Sequence, residues 1–195
     1  MLGFMFPSRE DAVSGVVAAL VSGSFPMIVA IDGRSGAGKT TLAREIETQV
    51  VADCPGLRVV SVEVECFIEG WEGLVEGVHR VASEIASPFR HSGYARTQAW
   101  DWHRGVWGET TTIGPADVLL VVGCGSSSAA LAPYVDVSVW VETAEDVRRA
   151  RVTAREGDPS SWWELWAAQE KVLLEERDSR ALATYVVEQL DTLPT

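Results

Sequence analysis

Lysine is nearly missing from this chain: of its 16 basic residues only Lys39 and Lys171 are lysines, set against 28 acidic side chains. The resulting net charge of −12, with a pI near 4.6, argues against sequence-independent binding to nucleic acid or to an anionic membrane, since both need basic density. Cysteine is sparse too. Cys54, Cys66 and Cys124 show neither CxxC spacing nor the even count of a disulfide framework, so reduced thiols are expected. His79, His91 and His103 lack metal-ligand spacing. No apolar run reaches the length of a membrane span, and Arg9, Glu10 and Asp11 interrupt any leader-like pattern at the N-terminus. A soluble, cytoplasmic protein is the expectation.

What is present reads as an ordinary folded chain. With 195 residues, 47% of them hydrophobic and 23% charged, the chain has enough apolar material for a sizeable core and is expected to form one domain over residues 1–195. Ser8 followed by Asp11 resembles a helix N-cap, placing a helix over about Arg9–Leu20. Short apolar runs at Met27–Ile31, Leu57–Val64, Asp117–Val122 and Val135–Val141 read as buried strands, with a short fifth candidate at Tyr185–Val187. Helices are predicted over Thr41–Ala52, over Gly73–Ile85 with Pro88 ending it, over Ala144–Arg155, and over Trp162–Arg177. Tyr94–Trp102 and Trp107–Ile113 flank a turn and form a polar hairpin. Strands alternating with helices imply an α/β fold of three layers around a mostly parallel sheet, with a small lid and hairpin excursion.

One segment carries specific chemistry. Gly33-Arg34-Ser35-Gly36-Ala37-Gly38-Lys39-Thr40 matches GxxxxGK[ST] in full, between an apolar strand and a helix. Its glycines let successive backbone N–H groups turn inward onto phosphate oxygens. Lys39 brings mobile positive charge to the β- and γ-phosphates, the Thr40 hydroxyl can ligate Mg²⁺, and the helix opening at Thr41 adds its positive end. With so few lysines in the chain, one at this position is informative. No Asn-Lys-x-Asp guanine-reading motif is present, which favours ATP over GTP.

The chain resembles the uridine kinase-like group of P-loop kinases, through Ile31–Ala43, Gly70-Trp71-Glu72-Gly73-Leu74, Trp100-Asp101-Trp102, Gly123-Cys124-Gly125-Ser126 and Ala132-Pro133-Tyr134. The resemblance implies a P-loop nucleoside kinase-type fold, ATP and Mg²⁺ as cofactors, and a small-molecule acceptor whose hydroxyl receives the phosphate. It implies that a carboxylate at the end of the strand after the P-loop helix deprotonates that hydroxyl. The matching stretch is Glu65-Cys66-Phe67-Ile68, so Glu65 is the implied base, one methylene longer than the group's aspartate. Cys66 stands where an acid or small polar residue is usual, and Val122 stands where the group tends to carry a glutamate before the strand-ending glycine. Phe67, Trp71 and Asp101 fall on the acceptor side.

Other residues carry two readings. Arg151 and Arg155 share a helical face and either form lid arginines that neutralise the transferring phosphoryl group or pair with Glu142, Glu145 and Asp146 on a solvated face. For Arg148 and Arg149 the solvated reading is preferred. Asp101 either binds acceptor hydroxyls or caps its own turn. Trp71, Trp100, Trp102 and Trp107 should overhang the strand ends, where one or two could stack on a flat ring, whereas Trp140, Trp162, Trp163 and Trp166 read as packing. Two functions therefore stand: an ATP-dependent kinase acting on a small-molecule hydroxyl, such as that of a nucleoside, or a nucleotide-binding protein with little or no transfer activity, given the altered acids at Glu65, Cys66 and Val122.

Overall fold

The structure, a computed structural model, describes residues 8–188. Helix α1 (Arg9–Ser22) opens on a capping box in which Ser8 Oγ accepts from Asp11 N–H and the Asp11 carboxylate accepts from Ser8 N–H. Strand β1 (Met27–Asp32) follows, then α2 (Lys39–Asp53) and β2 (Val59–Glu63). A 3₁₀ turn, Val64–Phe67, ends β2 one residue earlier than its valine run suggests.

The next helix departs from the sequence expectation. α3 (Leu74–Arg80) passes through a π-helical turn, Val81–Ala86, directly into α4 (Ser87–Ser92), so the helical run continues beyond Pro88 to Gly93. A proline removes one N–H and crowds the carbonyl four residues back. Here Ser87 N–H reaches the Ala82 carbonyl, five residues back, so the ladder is already widened where the ring enters. The stop comes at Gly93, in the left-handed region at φ +72°.

β3 (Ala95–Asp101) and β4 (Val106–Ile113) form the antiparallel hairpin outside the main sheet. β5 (Val118–Val122), β6 (Val137–Glu142), α5 (Glu145–Glu156), α6 (Trp163–Glu176) and β7 (Tyr185–Glu188) complete the order. The main sheet has five parallel strands in the order β2-β5-β1-β6-β7. Its near-continuous apolar strands are those of a sheet covered on both faces.

Alternation along the strands sends side chains to two cores. Ile28, Leu119 and Val121 pack with Val78, Ile85, Phe89, Trp166 and Leu173 on one face, while Val29, Ile31, Leu120 and Val122 pack with Leu20, Leu42 and Ile46 on the other. One face is thus covered by the Leu74–Ser92 helical run and α6, the other by α1 and α2. The carboxyl ends of β1, β2 and β5 come together at one edge. Such strand ends, flanked by helices on both faces, are where an α/β sheet opens a crevice.

Candidate active site

The Gly33–Lys39 loop leaves β1 at that edge. Gly36 takes φ +80°, and a Cβ there would stand 2.5 Å from the Arg148 carbonyl oxygen, so neither the backbone shape nor the close approach of α5 tolerates a side chain. Buried Asp32 anchors the loop base: its carboxylate accepts from Gly33 N–H (2.7 Å), Gly125 N–H (2.9 Å), Ser127 N–H (2.8 Å) and Ser127 Oγ–H (2.7 Å). Burial raises its pKa, and these bonds together with Lys39 act against that rise.

Lys39 is also buried, its ammonium donating to the carbonyls of Gly33 (2.9 Å) and Arg34 (3.2 Å) and to Cys124 Sγ (3.3 Å). Burial opposes its charge, but the groups around it, Cys124, Glu65 and Glu170, outweigh burial and hold its pKa above the ordinary lysine value. Burial foremost, with Glu170, Glu65 and Asp32, drives the Cys124 pKa well up against the pull of Lys39. Cys124 is therefore a thiol, a neutral acceptor for the ammonium beside the charges of Glu65 and Glu170. The thiol hydrogen points to Glu170 Oε1 (3.3 Å). Glu170, on α6 and 5% exposed, also accepts from Ser35 N–H (2.7 Å) and Arg34 Nε (3.1 Å). It braces the loop from behind.

In front of the loop lies a cleft of about 650 Å³ lined by Lys39, Thr40, Thr41, Glu63, Glu65, Val122, Arg151 and Arg155, with a tryptophan wall. Glu65 sits in the 3₁₀ turn after β2. Its Oε1 accepts from Cys124 N–H at 3.4 Å, and a Cβ on Gly123 would stand 2.6 Å from its Oε2. The glycine after β5 thus makes room for the carboxylate. Gly123 also has φ +149°, which favours glycine on conformational grounds.

The wall is assembled from three places in the chain. Trp71 stacks on Trp162 with ring centres 4.3 Å apart and planes 8° apart, and it meets Trp102 at 4.9 Å and Trp166 at 6.0 Å. Trp102, at the hairpin tip, donates its indole N–H to the Glu65 carbonyl at 3.0 Å. The hairpin is thereby tied to the backbone of the turn that carries Glu65. Spacing did not mark Trp162 and Trp166 as cleft residues, because their helical placement reads as packing. They are indeed buried, yet both line the cleft.

The structure separates the other sequence candidates. Lys39, Thr40, Glu65, Trp71, Arg151 and Arg155 share the cleft. Phe67 and Asp101 do not line it. Phe67 is buried in the core and borders a neighbouring cleft with Trp107 and Arg80, and Asp101 Oδ1 accepts from His103 N–H and Arg104 N–H, both at 3.0 Å, capping its own turn. Arg148 corrects the solvated reading. It is 4% exposed and donates to the carbonyls of Thr143 (3.1 Å) and Ser35 (3.0 Å), fastening α5 to the loop. Arg151 Nη1 lies 3.4 Å from the carbonyls of Gly36 and Ala37, and Arg155 pairs with Glu156. Cys66 is exposed, and partial burial with Glu63 and Glu65 nearby raises its pKa; Cys66 and Cys124 are both free thiols.

Among the described residues no group of three or more His, Cys, Asp or Glu side chains could hold a metal ion by itself. Mg²⁺ fits on different terms. It is a hard ion that takes few protein ligands and completes its shell with phosphate oxygens and water. Oxygen donors of that kind, the Thr40 hydroxyl and the carboxylates of Glu63 and Glu65, line the cleft.

No model of a known protein family matches the sequence, and no curated protein matches it. Solved structures do. The fold is that of the P-loop kinases. A possible uridine kinase from Bacillus stearothermophilus superposes with a TM-score of 0.65 at 16% identity, over 91% of this chain and 98% of the other. A chain assigned as a fructose transport system kinase from Silicibacter sp. TM1040 gives 0.57 at 18% identity, over 91% and 98%. The YGR205w protein gives 0.59 at 10% identity, over 93% and 94%. No helix among the described residues is long and apolar enough to cross a membrane.

Proposed function

We propose that this protein is an ATP-dependent phosphotransferase acting on a hydroxyl of a small molecule. One observation carries the reading: a complete phosphate loop centred on Lys39 opens into the same cleft as the Glu65 carboxylate, under a wall of indoles. The loop amides and Lys39 hold the phosphates of ATP. To reach them, the lysine exchanges its carbonyl partners, Gly33 and Arg34, for phosphate oxygens. Mg²⁺, when bound by phosphate oxygens and Thr40, supplies charge neutralisation at the β- and γ-phosphates.

The acceptor lies between Glu65 and the tryptophans. Its hydroxyl oxygen forms a bond to the γ-phosphorus while the bond from that phosphorus to the β–γ bridging oxygen breaks, and ADP leaves. The proton of the hydroxyl goes to Glu65. Arg151 and Arg155 border the path of the moving charge and supply positive potential there. The indole faces suit an acceptor with a flat ring, a nucleoside being the leading candidate.

A second reading is favoured by Val122. This apolar side chain, 2% exposed, lines the cleft at the end of β5 beside the phosphate loop. A site so built could bind nucleotide and transfer slowly or not at all. ATP consumption against a panel of nucleosides and small alcohols, with and without Mg²⁺, separates the two. Acceptor-dependent ADP release supports the kinase. ATP binding without turnover on any acceptor supports the binding module.

A further inference from the structure

Two glutamates close together in sequence line the cleft, and the fold gives them different neighbours. β2 and β5 run parallel and in register, with Glu63 opposite Val122. Residues opposite one another on adjacent strands project to the same face, about 5 Å apart. Val122 faces the core built with Leu42, Ala43 and Ile46 of α2, and Val59, four residues before Glu63 on β2, packs against that same core. By strand alternation Glu63 projects to the α2 side of the sheet, and α2 carries Thr40 in its first turn. The 3₁₀ turn beginning at Val64 then breaks the alternation. Glu65 follows within that turn, and its carboxylate meets Cys124 N–H and the charge of Lys39. Glu63 is exposed at the cleft.

We infer that the two carboxylates divide the work: Glu65 serves the acceptor, and Glu63 serves the metal side of the nucleotide. Glu63 holds the water shell of a divalent cation bound to Thr40 and the phosphates, beside the position where Val122 offers no oxygen. Its role is that of a positioning residue, acting through water. The inference rests on the nucleotide-binding reading above. It adds a chain-specific location for the carboxylate that a hard, strongly hydrated ion requires.

The test is calorimetric titration of ATP into the full-length parent and into Glu63→Gln, each in EDTA and in Mg²⁺, with Mn²⁺ electron paramagnetic resonance on the nucleotide complexes. Glu63 is exposed, and glutamine keeps its shape, so the fold is retained. In EDTA the two proteins should bind ATP equally, or the variant slightly more tightly because one negative charge is gone. In Mg²⁺ the parent's affinity should rise, and the variant should lose that gain, with Mn²⁺ held about tenfold more weakly, the usual cost of deleting a partner of a metal's water shell. The double variant Glu63→Gln/Val122→Glu, which moves the carboxylate one strand over, should restore the gain. An unchanged metal gain in Glu63→Gln overturns the inference, as does a parent that binds ATP no better with Mg²⁺ than without. Absence of ATP binding by the parent under every condition is a separate result: it overturns the nucleotide reading itself, and this inference with it.

Discussion

The two ends of the cleft are made in different ways. The proposed phosphate end is a contiguous stretch of backbone, Gly33–Thr41, whose shape follows from its glycines and whose charge comes from one lysine. The proposed acceptor end is assembled from Glu65, Trp71, Trp102, Trp162 and Trp166, drawn from a turn, a loop, a hairpin tip and the start of α6. A loop built from consecutive residues has few ways to fail while its glycines persist. A wall built from separated segments depends on each of them arriving. The loop end is therefore rigid in design, whereas the tryptophan end depends on how separate segments pack.

Removing the proposed base should give the largest effect. Glu65→Gln keeps shape and hydrogen bonding but cannot take a proton, and turnover should fall by roughly 10²- to 10⁴-fold, the range of general-base catalysis, with ATP affinity nearly unchanged. Equal turnover in steady-state assays would remove Glu65 from the chemistry. Next comes the opposite end. Lys39→Ala should weaken ATP binding at least tenfold, about 1.4 kcal/mol, because the chain's other lysine, Lys171, pairs with Glu175 on the surface of α6. Calorimetry showing full affinity would undo the assignment of the loop.

A smaller change probes the wall. Trp71→Ala removes an indole from the wall, and one lost aromatic contact with a flat-ringed acceptor is worth about 0.5–1.5 kcal/mol. It should raise the KM for the acceptor by roughly 2- to 10-fold and leave ATP affinity alone. A shift in ATP affinity of the same size would show that the two ends are not separable. The smallest effect belongs to the far end of the sheet, where Asp117 accepts from the Arg58 backbone N–H (2.8 Å) and guanidinium (3.1 Å). The Arg58 hydrogen bonds hold the Asp117 pKa below the usual carboxylate range. A depressed carboxylate contributes stability above its unfolded pKa and loses it as pH falls through the folded one. Asp117→Asn should therefore unfold slightly earlier than the parent near neutrality, with the gap closing in acid. Thermal denaturation at several pH values measures this, and both ends of the cleft should be untouched.

The same contrast explains what could be read from the sequence. The glycine-rich loop between β1 and α2 and the sheet were legible, because glycine spacing and apolar strands are local signals. The helix past Pro88 was not, since a proline reads as a stop unless the π turn before it is known. Arg148 looked like a surface charge among acids, and only the fold shows its guanidinium under the loop. Trp162 and Trp166 carry helical spacing that says packing, and nothing in that spacing says that both rings meet Trp71. Glu63 carries no local signal, because its place is set by strand register with Val122, a relation between residues nearly sixty positions apart.

The Asp32 carboxylate has a thermodynamic consequence. By holding amides from the segments after β1 and after β5 at once, it joins two glycine-rich loops into a single stiff unit before any ligand arrives. Glycine loops lose much conformational entropy when they are ordered. Here that loss is incurred during folding, so the proposed nucleotide would meet a cradle already in shape and its binding free energy would not be spent on ordering it. The heat capacity change on ATP binding should accordingly reflect only the apolar surface covered, without the larger signal of a segment that folds around its ligand.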